Sequence, residues 1–315
     1  MIGDTVFAHS YSPVEFQAID RCRLCAAPAS AGRNILDRVP DLDTGDDRFA
    51  LVECRTCGLV TTSPIPTAET IHYLYEDSAS SDYELPQPGL IGRLKDAFAE
   101  RTIRSIVTGC RGFVPREVLD FGTGGGRYAA ACARVWKDAN VTGVDFAPVP
   151  PRGSYYAVSD RLSYRPYAEV KEAGHVFDLI LARHVLEHLH DPIAAIKEWL
   201  ELLAPGGILY LEVPNRRSRT ATLLGKRWPL LYVPKHLSHF DSASLDRTVR
   251  AAGSQAAIGR TEIPMMGNVV ALLLGQSRYD PRFRILGLGL HWFQILFERS
   301  AAQGTCLTAT IIKAS

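Results

Sequence analysis

The sequence predicts an α/β protein whose parallel sheet carries a nucleotide-type pocket at its carboxyl edge, with a small metal-binding module ahead of it. Two observations carry this. In mid-chain an apolar strand, Val118-Leu119-Asp120-Phe121, runs into the glycine loop Gly122-Thr123-Gly124-Gly125-Gly126, and a second apolar segment ends about twenty residues later in Asp145. Near the N-terminus two cysteine pairs, Cys22/Cys25 and Cys54/Cys57, have the spacing of a four-thiolate site.

Bulk composition narrows the classes. A chain of 315 residues supports a sizeable core and, at ~150 residues per domain, about two domains. With 46% hydrophobic residues and a net charge of +1, it lacks the basic excess of a large nucleic-acid footprint. Residues Met1–Ser10 have neither a basic start nor a long apolar run, and no ~18-residue apolar stretch suggests a spanning helix. The expected compartment is the cytoplasm, where paired cysteines more often hold metal than form disulfides.

In Cys22-Arg23-Leu24-Cys25 and Cys54-Arg55-Thr56-Cys57-Gly58, each two-residue gap lets both thiolates of one turn reach a single ion, and Gly58 relieves crowding there. Four thiolates favour Zn²⁺ and leave no open position, so the metal is expected to be structural. The long stretch between the pairs must return as a hairpin, turning at Asp41, Asp43, Gly45, Asp46 and Asp47 before the strand Phe49-Ala50-Leu51-Val52. Cys110, Cys132 and Cys306 are isolated, plain core or surface residues.

Between 67 and 112 lies a connector. Thr67-Ala68-Glu69 looks like a helix start with Ile71, Leu74 and Tyr75 at helical spacing, and Ser78–Asp82 and Pro86–Gly89 then break it. Leu90, Leu94, Phe98, Ile103 and Ile106 suggest a second helix packing on the larger domain, or a mere linker.

Further strands are expected at Val141–Val144, Ser154–Ala157, Val176–Ala182 and Ile208–Val213, then within 255–263 and 306–313. Asp191-Pro192 has the pattern of a helix start, and Asp241 can cap the helix that follows it.

The order and wording of Glu117–Gly126, Val144-Asp145, Phe177–Ile180, His184-Val185-Leu186-Glu187-His188, Leu203–Gly207 and Pro214-Asn215 resemble the class I S-adenosylmethionine-dependent methyltransferases. The segment from Cys22 to Pro66 is similar to N-terminal zinc modules on bacterial methyltransferases, some acting on nucleotide-linked sugars and secondary metabolites. The resemblance implies a Rossmann-like, seven-stranded mixed sheet with flanking helices, over 113–315, behind a zinc module at 1–66 and a helical connector or lid at 67–112. It implies that Gly122, Gly124 and Gly126 face the amino-acid and ribose parts of S-adenosylmethionine. Asp145 would take both ribose hydroxyls, Phe146 would lie against the adenine, and Asp120 would sit near the methionine amino group or cap the loop. Arg183 and His184, at the end of a strand, would lie under the sulfonium. Thr123 stands where the family usually has a cysteine or similar small residue.

The implied activity is transfer of a methyl group to a small molecule, a sugar or secondary metabolite, by in-line displacement. The enzyme's task is then to align the acceptor and remove its proton. Histidine suits that base, and the candidates are His184, His188, His236 and His239. Each can equally be a satisfied structural residue. His184, Glu187 and His188 would fall together on a helix, a spacing that some metal-assisted O-methyltransferases use with Glu in the first place; many relatives with Leu-Glu-His use no metal. The apolar segment 282–299 reads as core packing, a homodimer face, a lid or a surface for lipid-linked substrates. The rival functions are an RNA methyltransferase that reads nucleic acid through its zinc module, and a catalytically silent scaffold.

Overall fold

The computed structural model describes residues 11, 13–76, 85–108, 110, 112–158, 160–263, 265–276, 281–299 and 304–314. The break expected at Ser78–Asp82 and residues Met1–Ser10 lie outside the described residues. The N-terminal part holds β1 (Phe16–Gln17), β2 (Gly32–Val39), β3 (Phe49–Cys54), β4 (Val60–Ser63) and β5 (Ile65–Pro66). The expected hairpin is there: β2 and β3 pair antiparallel, and the turn between them is built on buried Asp41. Its carboxylate accepts the Asp43 amide at 2.9 Å and the hydroxyls of Thr44 at 2.9 Å and Tyr11 at 2.5 Å.

Among the described residues that follow are the helices α1 (Tyr73–Glu76) and α2 (Gly89–Ile106). The first turns begin at Thr67 as expected, and regular helix starts at Tyr73. Ala99, Ile103 and Ile106 of α2 pack with Ala129, Ala130 and Ala133, and Asp96 takes an ion pair from buried Arg127.

The larger part runs β6 (Glu117–Phe121), α3 (Arg127–Val135), β7 (Asn140–Val144), β8 (Leu162–Tyr164), α4 (Tyr167–Glu172), β9 (Phe177–Arg183), α5 (Pro192–Leu202), β10 (Leu203–Pro214), α6 (Arg219–Leu224), β11 (Ser238–His239), α7 (Ser242–Ala251), β12 (Ala257–Thr261), α8 (Met266–Leu273), α9 (Pro281–Arg299) and β13 (Cys306–Ile312). Seven strands form one mixed sheet in the order β12-β13-β10-β9-β6-β7-β8, as expected. β6 to β10 run parallel, while β13 lies antiparallel between β10 and β12. After β6 the chain builds outward through β7 and β8 and later returns to β9 on the other side. The reversal opens a crevice at the carboxyl ends of β6, β7 and β9, where open sheets place ligands. Leu179, Ile180, Leu181, Leu209 and Leu211 are buried, as strands covered on both faces require.

One expected strand is wrong. Ser154–Ala157 is not extended; Tyr155–Val158 is a 3-10 turn, and the third strand is β8, further along. Pro150 and Pro151 offer no amide to a ladder, and Ser154 closes a turn onto Pro151 O. The two tyrosines then point into the protein. Tyr155 donates to Asp96 at 2.6 Å, and Tyr156 lies across Gly126 and Gly143. The fifth strand is also longer than expected. Leu203 already pairs with Phe177, and the glycines before Ile208 are absorbed as an irregularity in β10.

β11 extends the N-terminal sheet, whose order is β11-β4-β3-β2. Cys54, Cys57 and Leu59 share one apolar cluster with Phe240, Leu245 and Val249, so the cysteine-bearing part and the larger part are packed through a common core. α9 lies on α8, where Gly267 and Gly287 let the backbones touch. Its inward face is polar as well as apolar: buried Glu298 accepts the amides of Arg219 (3.0 Å) and Thr220 (3.1 Å), and Gln294 bonds Met265, Ile263 and Thr305. Core packing accounts for only part of this segment, because Trp292 (74%), Phe293 (70%) and Leu296 (65%) are exposed. No described helix is long and apolar enough to cross a membrane.

Both helix caps read from sequence are present. Asp191 accepts the Ala194 amide at 2.9 Å, and Asp241 forms a capping box with Ser244. Asp191 is exposed and stands clear of the crevice interior. Asp191→Ala is expected to cost about 1 kcal/mol in urea unfolding, with folding cooperativity unchanged.

Candidate active site

The glycine loop is shaped by backbone conformation. Gly122, Gly124 and Gly126 all have positive φ (71°, 53° and 83°), and a Cβ at Gly126 would come within 2.6 Å of the Tyr156 ring. Asp145, at the end of β7, accepts the Gly124 amide at 2.7 Å and the Phe146 amide at 2.8 Å. Burial raises its pKa, and these two amides oppose the rise. Asp120 accepts from Thr123 Oγ1 at 2.8 Å, and Tyr156 Oη lies 2.5 Å from the same hydroxyl. Burial pushes Asp120 up to about 6, against the Thr123 bond and the Arg183 charge. Phe146 is 56% exposed, and Tyr75 of α1 stacks on it with centroids 5.2 Å apart and planes 14° apart.

The tips of β9 and β10 hold a buried charge knot. Arg183 pairs with Glu212 (2.8 Å and 3.3 Å) and lies over the Tyr128 ring, 3.5 Å from its centroid. His184, in the left-handed region at φ 54°, places Nε2 3.2 Å from Glu212 and Nδ1 3.3 Å from Glu187. Burial alone would lower the His184 pKa, but bonds to Cys306, Glu187 and Glu212 outweigh it and raise it well above the usual value. The same bonds to Arg183 and His184 overcome burial to hold Glu212 far below the ordinary carboxylate range. The segment after His184 is a 3-10 turn, Leu186–His188, so the expected helical grouping is replaced by a tighter one.

That turn presents His188 to the loop before β11. His188 Nδ1 is 2.8 Å from Tyr75 Oη and 3.1 Å from Lys235 O, and its ring meets His236 edge-on at 4.5 Å. His236 Nδ1 is 2.9 Å from Leu230 O. A carbonyl only accepts, so both histidines carry the proton on Nδ1 and leave Nε2 bare. The Nε2 atom of His236 lies 3.9 Å from Glu187, a residue 1% exposed whose carboxylate is held by the His184 ion pair at 3.3 Å. Glu187, His188 and His236 can bring one ligand atom each within 4.8 Å of one another. His239 stands apart. Thr62 Oγ1 donates to His236 O at 2.7 Å, so its oxygen accepts from His239 Nε2 at 2.8 Å. Burial lowers all three imidazoles, His239 to about 3 with Arg216 adding to the effect.

The cysteine pairs converge. Cys22 Sγ is 3.4 Å from Cys57 Sγ, Cys25 Sγ is 3.6 Å from Cys54 Sγ, and all four lie within 4.8 Å. A tetrahedron with ~2.3 Å metal–sulfur bonds has edges of ~3.8 Å, close to these separations. Peptide N–H groups of Leu24 and Cys25 face Cys22, and those of Thr56 and Cys57 face Cys54, an arrangement suited to thiolates. Arg23 holds Leu189 O at 3.1 Å, tying this centre to the turn that carries His188.

Tyr75, Tyr156, Lys235 and Glu212 went unread as site residues. Glu212 left one signal, a single acid inside an otherwise apolar strand; the others look like ordinary helix or loop residues until the chain is folded.

A fold of this kind with this crevice defines a methyltransferase-type domain, and the chain belongs to that family: the family model described as "Methyltransferase domain" matches residues 95–256, just over half of the chain. Among curated relatives, the ubiquinone biosynthesis O-methyltransferase of Cereibacter sphaeroides (strain ATCC 17025 / ATH 2.4.3) is 34% identical over 125 residues, covering 38% of this chain and 50% of that protein. The protein of the same description from Actinobacillus pleuropneumoniae serotype 5b (strain L20) is 32% identical over 142 residues, covering 41% of this chain and 60% of that one. The chain thus spans about half the length of the curated relatives it matches. Among solved structures, the [4+2]-cyclase SpnF superposes with a TM-score of 0.50 at 18% identity over 79% of this chain and 97% of that one, a likeness of fold.

The histidine environments predict how stability follows pH. A buried imidazole with a lowered pKa stabilises the fold above ~6.5 and withdraws that support as pH falls toward its folded value; His184, with a raised pKa, does the reverse. His239→Gln should therefore reduce the loss of stability between about pH 6.5 and 4.5 by up to roughly 1.4 kcal/mol per pH unit, read from urea midpoints.

Proposed function

We propose that this protein transfers the methyl group of S-adenosylmethionine to a small-molecule acceptor. The observation that carries the reading is Asp145. It is an acceptor-only carboxylate at the end of β7, beside a loop with positive φ at Gly122, Gly124 and Gly126, and next to the exposed ring of Phe146. Asp145 would take the ribose hydroxyls, the Gly122–Gly126 loop the amino-acid part, and Phe146 the adenine. Asp120 supports the loop through Thr123. Arg183 is engaged by Glu212, so it serves the donor by its charge and by fixing the strand end.

The acceptor lone pair attacks the methyl carbon as the carbon–sulfur bond breaks, and the sulfonium charge is discharged onto the departing thioether. His188 is the base in this reading, taking the acceptor proton on bare Nε2; His236 lines the same wall. His184 is held protonated and His239 is tied to Thr62, so neither suits that role. The names of the curated relatives favour an oxygen acceptor. The net charge of +1 favours a small molecule over nucleic acid. Cys22, Cys25, Cys54 and Cys57 would hold one structural Zn²⁺, with 1–66 as its module, 67–112 as connector and 113–315 as the methyltransferase domain.

A second reading of the same wall rests on Glu187. Its carboxylate, shared with His184, and the bare Nε2 atoms of His188 and His236 form a cluster of acceptors, which would suit a divalent cation that binds the acceptor oxygen.

Asp145→Ala should weaken S-adenosylmethionine binding at least tenfold in calorimetry while the protein stays folded; equal affinity would refute the ribose assignment. Cys54→Ser should release about one zinc per chain in metal analysis, and wild-type protein without zinc would end the module's assignment. Methyl-labelled S-adenosylmethionine, incubated with the protein and a fractionated extract, should mark the small-molecule fraction. Label in RNA would promote the RNA methyltransferase instead, and failure to bind the donor at all would favour a silent scaffold.

A further inference from the structure

Tyr75 lies ahead of the stretch that matches the family, yet its side chain reaches both halves of the crevice. Its hydroxyl is 2.8 Å from His188 Nδ1, its ring stacks on Phe146 at 5.2 Å, and Lys235 Nζ sits 5.2 Å from its ring centroid. Among the described residues of the larger part, the other partner of His188 Nδ1 is the carbonyl of Lys235 at 3.1 Å. Because that carbonyl only accepts, the Nδ1 proton is shared between it and the phenol oxygen.

We propose that Tyr75 is a positioning residue, holding His188 in its Nδ1–H tautomer with Nε2 bare toward the acceptor cavity, and linking that state to Phe146 on the donor side. The inference rests on the proposed use of His188 in this crevice. Two oxygens on one N–H fix the ring's rotation as well as its proton, as the partner of a general base must. An incoming adenine at Phe146 would meet the face of the residue that orients the base. Donor binding and base orientation are thereby joined through one side chain.

The test needs no acceptor. Nitrogen-15 spectra of histidine-labelled, full-length protein report the tautomer of each ring, with His188 assigned through His188→Gln. Wild-type His188 should show a protonated Nδ1 and a bare Nε2. Tyr75→Phe keeps the stacking ring and removes the hydroxyl, and should move the tautomer ratio about fivefold toward Nε2–H, the loss of one hydrogen bond. The same variant should bind S-adenosylmethionine within twofold of wild type, whereas Tyr75→Leu should bind at least fivefold more weakly. A wild-type His188 protonated on Nε2, or a ratio unchanged by Tyr75→Phe, overturns the proposal. A tautomer shift without donor binding by any form would leave Tyr75 as the partner of His188 but overturn both its link to the donor and the methyl-transfer reading.

Discussion

The buried carboxylate of Glu212 is the constraint around which the active edge of the sheet is built. It sits inside β10 at 0% exposure, and an isolated charge there would be costly. Arg183 and His184, at the tip of the neighbouring strand, neutralise it from two directions. To do so His184 adopts a left-handed backbone, which turns the chain sharply into the 3-10 segment carrying Glu187 and His188. A second buried acid, Glu187, meets the other nitrogen of the same imidazole. One cationic ring between two carboxylates therefore settles where the strand ends and which way the histidine-bearing wall faces.

The wall itself is assembled from parts distant in sequence. Leu237 donates its amide to Glu187 O, and its carbonyl accepts the amide of Thr62 on β4. β4 follows directly on the second cysteine pair, so the cysteine cluster, the strand and the histidine loop are joined by successive backbone bonds. Arg216, reaching Glu53, Gly58 O and Asp241, clamps the same junction from the other side. The cysteine-bearing part is thus a structural wall of the crevice. The histidines divide accordingly. His184 is kept charged by its acids, while His188, His236 and His239 are kept neutral by burial.

The features legible in the sequence are those whose cause is local. A glycine loop between an apolar strand and a helix, an Asp-Pro helix start, an aspartate-rich hairpin turn and two C-x-x-C knuckles each state their geometry within a few residues. Composition misled at Ser154–Ala157, where two aromatic residues suggested a strand. There the prolines removed ladder donors, and a glycine in β7, Gly143, opened room for the Tyr156 hydroxyl to reach Thr123. A preference for extended structure yields when a side chain can be buried and hydrogen-bonded another way.

The sequence by itself determined the glycine loop, the helix starts and the grouping of four cysteines, because each follows from turn chemistry or ligand spacing, and through its family resemblance it implied the seven-stranded sheet and its crevice. Only the tertiary structure decided which histidine is charged, which nitrogen is bare, and that Tyr75 meets His188 across 113 positions. Protonation and tautomer depend on burial and on the oxygen opposite each ring nitrogen. Those are properties of packing between distant segments, which the local order of residues does not carry.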